Sequence, residues 1–141
     1  MKRFVLLALL AVVALVGGGQ AATASSKSKK CTPQKVAYVV HGKLVSSMLS
    51  KNSDKTYSGT ITIHVTKADK HAKSEKGTDK TYTLDHAKGK FGKKENPSSP
   101  TVGSRVTLTG KITHLAKGCN KSGFTPKETI KKFDIQPPKK K

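Results

Sequence analysis

Tryptophan is absent from this 141-residue chain, and three tyrosines and four phenylalanines make up its whole aromatic inventory. Small β-barrels that bind single-stranded nucleic acid rely on aromatic platforms under successive bases, each worth about 1–3 kcal/mol. The two rings that the pattern leaves outside a core, Tyr57 and Phe91, are too scattered to form one, so nucleic acid is set aside as a partner. Acidic residues are also scarce: eight stand against 28 lysines and arginines, for a formal net charge of +20. A glycosidase needs two carboxylates facing each other across a cleft. Asp54, Asp69, Glu75, Asp79, Asp85, Glu95 and Glu128 fall in expected loops or at strand ends, and Asp134 alone lies within a strand. No such pair stands out among them, and their expected role is local pairing with the surplus lysines. Arginine is limited to Arg3 and Arg105. Lysine is a strongly hydrated point charge, whereas the guanidinium fork suits bidentate phosphate recognition. The balance therefore points to diffuse attraction to polyanions, or to solubility, more than to a shaped phosphate site.

The signatures of catalysis and metal binding are missing as well. His41, His64, His71, His86 and His114 never fall in H-x-x-x-H or H-E-x-x-H spacing, and exposed or edge positions account for them. His64 and His114 would approach each other only if their strands pair. No G-x-S-x-G elbow occurs, and the single S-x-x-K match, Ser26 to Lys29, lies in a polar linker. Cys31 and Cys119 are the only cysteines and belong to no C-x-x-C motif. The expectation is a non-enzymatic protein with no catalytic residues, no cofactor and no metal ligands.

What the chain does contain begins with Lys2 and Arg3, an apolar run from Phe4 to Val16, and small residues at Ala22-Thr23-Ala24. A basic start, an apolar stretch and an A-x-A site are the marks of a secretory signal peptide, here cut after Ala24 or after Ala21. The apolar run falls short of the roughly 20 residues that span a bilayer, which argues against a permanent transmembrane anchor. Cys31 lies too far beyond it to be a lipidated first residue. Residues 1–24 thus read as the signal, 25–34 as a polar basic linker, 35–136 as one β-domain and 137–141 as a lysine-rich tail expected to be disordered. Export makes the protein secreted or extracytoplasmic, and in that oxidising setting Cys31 and Cys119 read as a disulfide. The two cysteines are 88 positions apart. By chain entropy, closing such a loop stabilises the fold by roughly 4–5 kcal/mol at most.

Within the domain, apolar residues alternate with a period of two and no stretch of useful length keeps a helical period. Ser58 to Lys67 turns Ile61, Ile63 and Val65 inward and Thr60, Thr62, His64 and Thr66 outward. Lys80 to Asp85 repeats the scheme with Tyr82 and Leu84, and Ser104 to Leu115 does so with Val106, Leu108 and Ile112. Lys35 to Leu49 is apolar on both faces before Gly42, where a kink is expected. Thr129 to Gln136 closes the chain with Ile130, Phe133 and Ile135, and the doubled Lys131-Lys132 implies a bulge. Five strands, with the longest irregular connection at residues 87–101 between the third and the fourth, fit an all-β, OB-like Greek-key barrel. A small open β-sandwich is the alternative.

Two stretches, G-T-I-T-I-H-V at Gly59 to Val65 and V-G-S-R-V-T-L-T-G-K-I at Val102 to Ile112, carry a likeness to a known type. They resemble exported bacterial OB-like domains of unknown function, in which G-x-[IV]-x-[IV] is followed by V-G-[DS]-x-V-x-[VL]-x-G. The resemblance covers roughly Lys35 to Gln136 and departs at Ser104, where an aspartate is commoner. It implies a fold and a compartment but no activity.

The functional expectation is a secreted binding or scaffolding domain with a basic surface. Lys67, Lys70, Lys73 and Lys76 on one loop, with Lys88, Lys90, Lys93 and Lys94 after the third strand, are expected to form a basic rim at one end of the barrel. Such a rim suits an anionic cell-envelope polymer, an acidic polysaccharide or anionic lipid headgroups, held by screened, salt-dependent forces. The alternative is a small-ligand or partner-protein module that uses the barrel mouth, with the charge serving solubility only.

Overall fold

A computed structural model describes residues 31–139. The expected signal segment, the first part of the linker and the last two lysines of the tail lie outside the described residues. Five strands follow in order: β1 (Gln34–Lys51), β2 (Tyr57–Ala68), β3 (Asp79–Phe91), β4 (Arg105–His114) and β5 (Glu128–Gln136). They close into a barrel in the order β1-β2-β3-β5-β4. This is the OB-like arrangement, and ring closure rules out the open sandwich.

Closure depends on β1, which serves two neighbours. Its first part, Gln34 to Lys43, pairs antiparallel with β4, and its later part, Val40 to Lys51, pairs antiparallel with β2. The bend between them comes at Gly42, where the β1–β2 register shifts and a Cβ would lie 2.3 Å from the carbonyl oxygen of His64. No residue with a side chain fits there without moving the backbone. β3 and β5 pair in parallel, and β5 returns antiparallel to β4. The β4–β5 register steps from Thr109↔Lys132 to Gly110↔Ile130, so Lys131 is the extra residue of the expected bulge. That step brings the backbones together at Gly110, whose added Cβ would lie 2.1 Å from the Thr129 oxygen.

The inward residues read from the alternation form one core: Ile61, Ile63, Val65, Tyr82, Leu84, Val106, Leu108, Ile112, Ile130, Phe133 and Ile135 are all buried. Each large side chain so buried contributes about 1.5–3 kcal/mol relative to exposure. Three expectations change. β3 is twice as long as the Lys80 to Asp85 reading, because His86 adopts a positive φ of 48° and the strand then resumes. Asp85 lies well inside that strand instead of at its end. Tyr57, expected outside, is buried and packs edge-on against Phe91 and Phe133, at 5.4 and 5.5 Å between ring centroids.

Cys31 and Cys119 form the expected disulfide, with Cα atoms 5.6 Å apart. The chain is therefore tethered from Cys31 onward, three residues before β1, and the linker reading holds at most for what precedes it. The loop between β3 and β4 is pinned by Glu95, which accepts hydrogen bonds from the Ser104 hydroxyl at 2.5 Å and the Thr101 amide at 2.9 Å. Both Glu95 and Ser104 are buried. An ionised aspartate at 104 would set a second carboxylate against Glu95, whereas the serine hydroxyl supplies the proton that Glu95 needs.

Candidate polyanion-binding face

β4 lies between β1 and β5, so its outward side chains form the middle row of a three-strand face. That row is Arg105, Thr107, Thr109, Lys111 and Thr113, alternating with the buried Val106, Leu108, Gly110 and Ile112. Three shallow grooves follow it. The first, about 380 Å³, is lined by Lys88, Lys90, Lys132, Thr107, Thr109 and Asp134. The second, about 360 Å³, includes His41, Thr66, Lys67, Arg105, Thr107 and Lys139. A third, smaller one is lined by Lys35, Lys111, Lys127, Lys131, Thr113 and Thr129. Thr107 borders the first two, and β4 runs through all three. The outcome is a threonine floor with cations on both sides, which suits an extended anionic chain better than a compact ligand.

Among the described residues no lysine or arginine of this face has a carboxylate within 4.0 Å, and all the acids but Asp134 are engaged elsewhere. Asp69 accepts from the backbone amides of Val39, His71 and Ala72. Asp54 closes its turn on Thr56, whose hydroxyl and amide hold the carboxyl below its ordinary value. Asp79 meets His64 at 2.6 Å and Asp85 meets His86 at 2.9 Å. The neighbouring Asp85 also raises the His86 imidazole above its ordinary value. Glu75 and Glu128 both bind Lys80, and Glu95 is buried on Ser104. Asp134, the one acid in the grooves, accepts from Gln136 at 2.6 Å. The expected general pairing of acids with surplus lysines therefore holds only for Lys80, the sole lysine or arginine with a carboxylate within 4.0 Å among the described residues.

The rim read from the sequence is not assembled as expected. All eight of its lysines are exposed, but Lys70, Lys73 and Lys76 lie on the loop entering β3, whereas Lys93 and Lys94 lie where the chain leaves it. The two groups sit at opposite ends of one strand and make no single rim. Lys67, Lys88 and Lys90 do join the grooves, through neighbours that loop-by-loop reading missed: Arg105, Lys132 and Lys139. No family model, curated protein or solved structure matches the chain. His64 and His114 do not meet, since β1 separates their strands; His114 lies instead against His71.

The barrel end beneath the β2–β3 loop is filled. Glu75, on a 3₁₀ turn spanning Lys73–Glu75, accepts hydrogen bonds from the hydroxyls of Tyr38 and Tyr82 and from Lys80, the latter two at 2.8 and 2.6 Å. Lys80 also reaches Glu128 at 2.6 Å and lies 5.0 Å from the centre of the Tyr82 ring. This plug fills that end of the barrel. Burial, reinforced by hydrogen bonding to Glu75, pushes the Tyr38 hydroxyl far above the ordinary phenol value of 10.0. Burial also raises the Tyr82 hydroxyl. Burial alone would lower the Lys80 ammonium, but Glu128 and Glu75 outweigh it and hold it above 10.5.

All three groups bind their protons more tightly in the folded chain than in the unfolded one. Their stabilising contribution is complete below about pH 10 and is lost as pH rises from there toward their folded values. In an alkaline titration, ionisation of Tyr38 and Tyr82 is expected to appear only together with loss of the far-UV β-sheet signal. Ionisation of these two tyrosines with the sheet intact would contradict this arrangement.

Proposed function

We propose that this protein is a secreted, non-enzymatic binding module that holds linear anionic polymers of the cell envelope or extracellular space along the outer face of β4. The observation that carries the reading is the row of cations beside a threonine floor, with Asp134 the one acid among them and the other acidic residues engaged elsewhere. Export is supported by the signal-like first 24 residues and by the Cys31–Cys119 bridge. Among the described residues no helix is long and apolar enough to cross a membrane. Burial of Tyr57 and partial burial of Phe91 favour a polymer without bases to stack. The plug closes one barrel end to a small ligand, which favours the outer face as the binding surface. The same fold and compartment are those of the exported OB-like domains that the chain resembles.

The test is titration with fluorescent dextran sulfate across a range of salt. Affinity is expected to fall steeply with added salt, because binding releases counterions. Replacing Lys88, Lys90 and Lys132 together by alanine is expected to weaken binding roughly tenfold and to flatten the salt slope. A control of equal charge change, Lys55, Lys73 and Lys76 to alanine, is expected to have a much smaller effect. Equal losses in both triple variants would reduce the face to unspecific charge, and no binding at low salt would remove the proposal altogether.

A further inference from the structure

Outside that face, the rings of His71 and His114, from distant parts of the chain, are held together, each with at least one nitrogen free of hydrogen bonds among the described residues. Their ring centroids are 5.1 Å apart with planes inclined at 36°. Two imidazoles sharing one ion at about 2.1 Å, at a tetrahedral angle, bring their centroids to about 5 Å.

The protonation pattern fits as well. His114 Nδ1 lies 2.7 Å from the carbonyl oxygen of Leu115, and an oxygen acceptor requires Nδ1 to carry the hydrogen. The lone pair of the neutral ring is then on Nε2. Metal-binding histidines are oriented in this way, by donation of the other ring N–H to a carbonyl. The His71 ring makes no side-chain hydrogen bond among the described residues, while its backbone amide is fixed by Asp69 at 2.8 Å. Asp69 also takes the amide of Val39 at 2.7 Å, which ties the loop to β1. His114 ends β4 opposite Gln34, and the disulfide closes the same end of that ladder. Both rings are half-buried, so their positions are set while one side stays open to solvent.

We infer that His71 and His114 together bind one divalent transition-metal ion of the imidazole-preferring class, zinc above all, with water completing the coordination. No third histidine, cysteine or carboxylate converges there among the described residues, which sets the site's strength. With two protein ligands, and with Lys70 and Lys73 exposed on the same loop, binding is weaker than at a three- or four-ligand site. This revises the expectation of no metal ligands and is independent of the polymer-binding face.

Equilibrium dialysis of the oxidised full chain against zinc chloride tests it. One zinc ion per chain is expected, with affinity lowered at least tenfold by His71→Gln and equally by His114→Gln. His64→Gln, on β2 and engaged with Asp79, is expected to bind as the unaltered chain does. The unaltered chain gives a second reading, since zinc is expected to shift the ring NMR signals of two histidines and spare the other three. Absence of saturable uptake, uptake retained by both glutamine variants, or equal shifts of all five histidines would each overturn the site.

Discussion

The double substitution Cys31→Ser with Cys119→Ser is expected to lower the unfolding free energy by roughly 3–5 kcal/mol, out of about 5–15 for an ordinary domain. The bridge closes a loop of 88 residues, so most of its effect lies in the unfolded chain, which it prevents from exploring extended states. It also has a local role that chain entropy does not include. Gln34 pairs with His114 at the last rung of the β1–β4 ladder, and the bridge lies just beyond that rung. β1 is the strand on which both β2 and β4 depend, so fraying from its start opens the barrel at its closing seam. Guanidinium unfolding of the oxidised chain and the double variant measures the difference, with a clearly lower midpoint expected for the variant. Coincident midpoints would mean that the ladder holds β1 without help.

The barrel was legible because its strands alternate. Ile61, Ile63 and Val65 against Thr62 and His64 specify both a strand and its inner face, with no need of distant information. The same logic stopped short in β3, where Asp85 and His86 are both exposed and break the alternation before Ala87 returns inward. A bulge with positive φ looks like a strand end when only local period is available. The binding face was half legible for a related reason. Alternation marks Thr107, Thr109 and Lys111 as outward-facing, but not that β4 inserts between β1 and β5, strands far from each other in sequence. Counting lysines by loop therefore grouped Lys70 with Lys94, which β3 holds apart. The plug around Glu75 was beyond reach altogether, since it joins Tyr38, Lys80, Tyr82 and Glu128 through single hydrogen bonds that reach as many as 48 positions.

That plug supports the second large effect. Glu75→Ala is expected to destabilise the fold by about 3 kcal/mol, the lower end for breaking a buried charge pair from one side, because Lys80 keeps some contact with solvent. The loss has two parts. The hydroxyls of Tyr38 and Tyr82 forfeit their shared acceptor and are left with each other at 3.3 Å. Lys80 keeps only Glu128, itself 29% exposed against 15% for Glu75. Glu75→Gln retains an acceptor for the phenols while removing the charge, so its cost is expected to be smaller, near 1–2 kcal/mol. Glu128→Ala leaves both phenols satisfied and is expected to cost least. Chemical unfolding of the three variants gives the order Glu75→Ala, Glu75→Gln, Glu128→Ala, from most to least destabilised. If Glu75→Ala unfolded no more easily than Glu128→Ala, the two tyrosines would not depend on this carboxylate, and the plug would be a surface ion pair with no hold on the core.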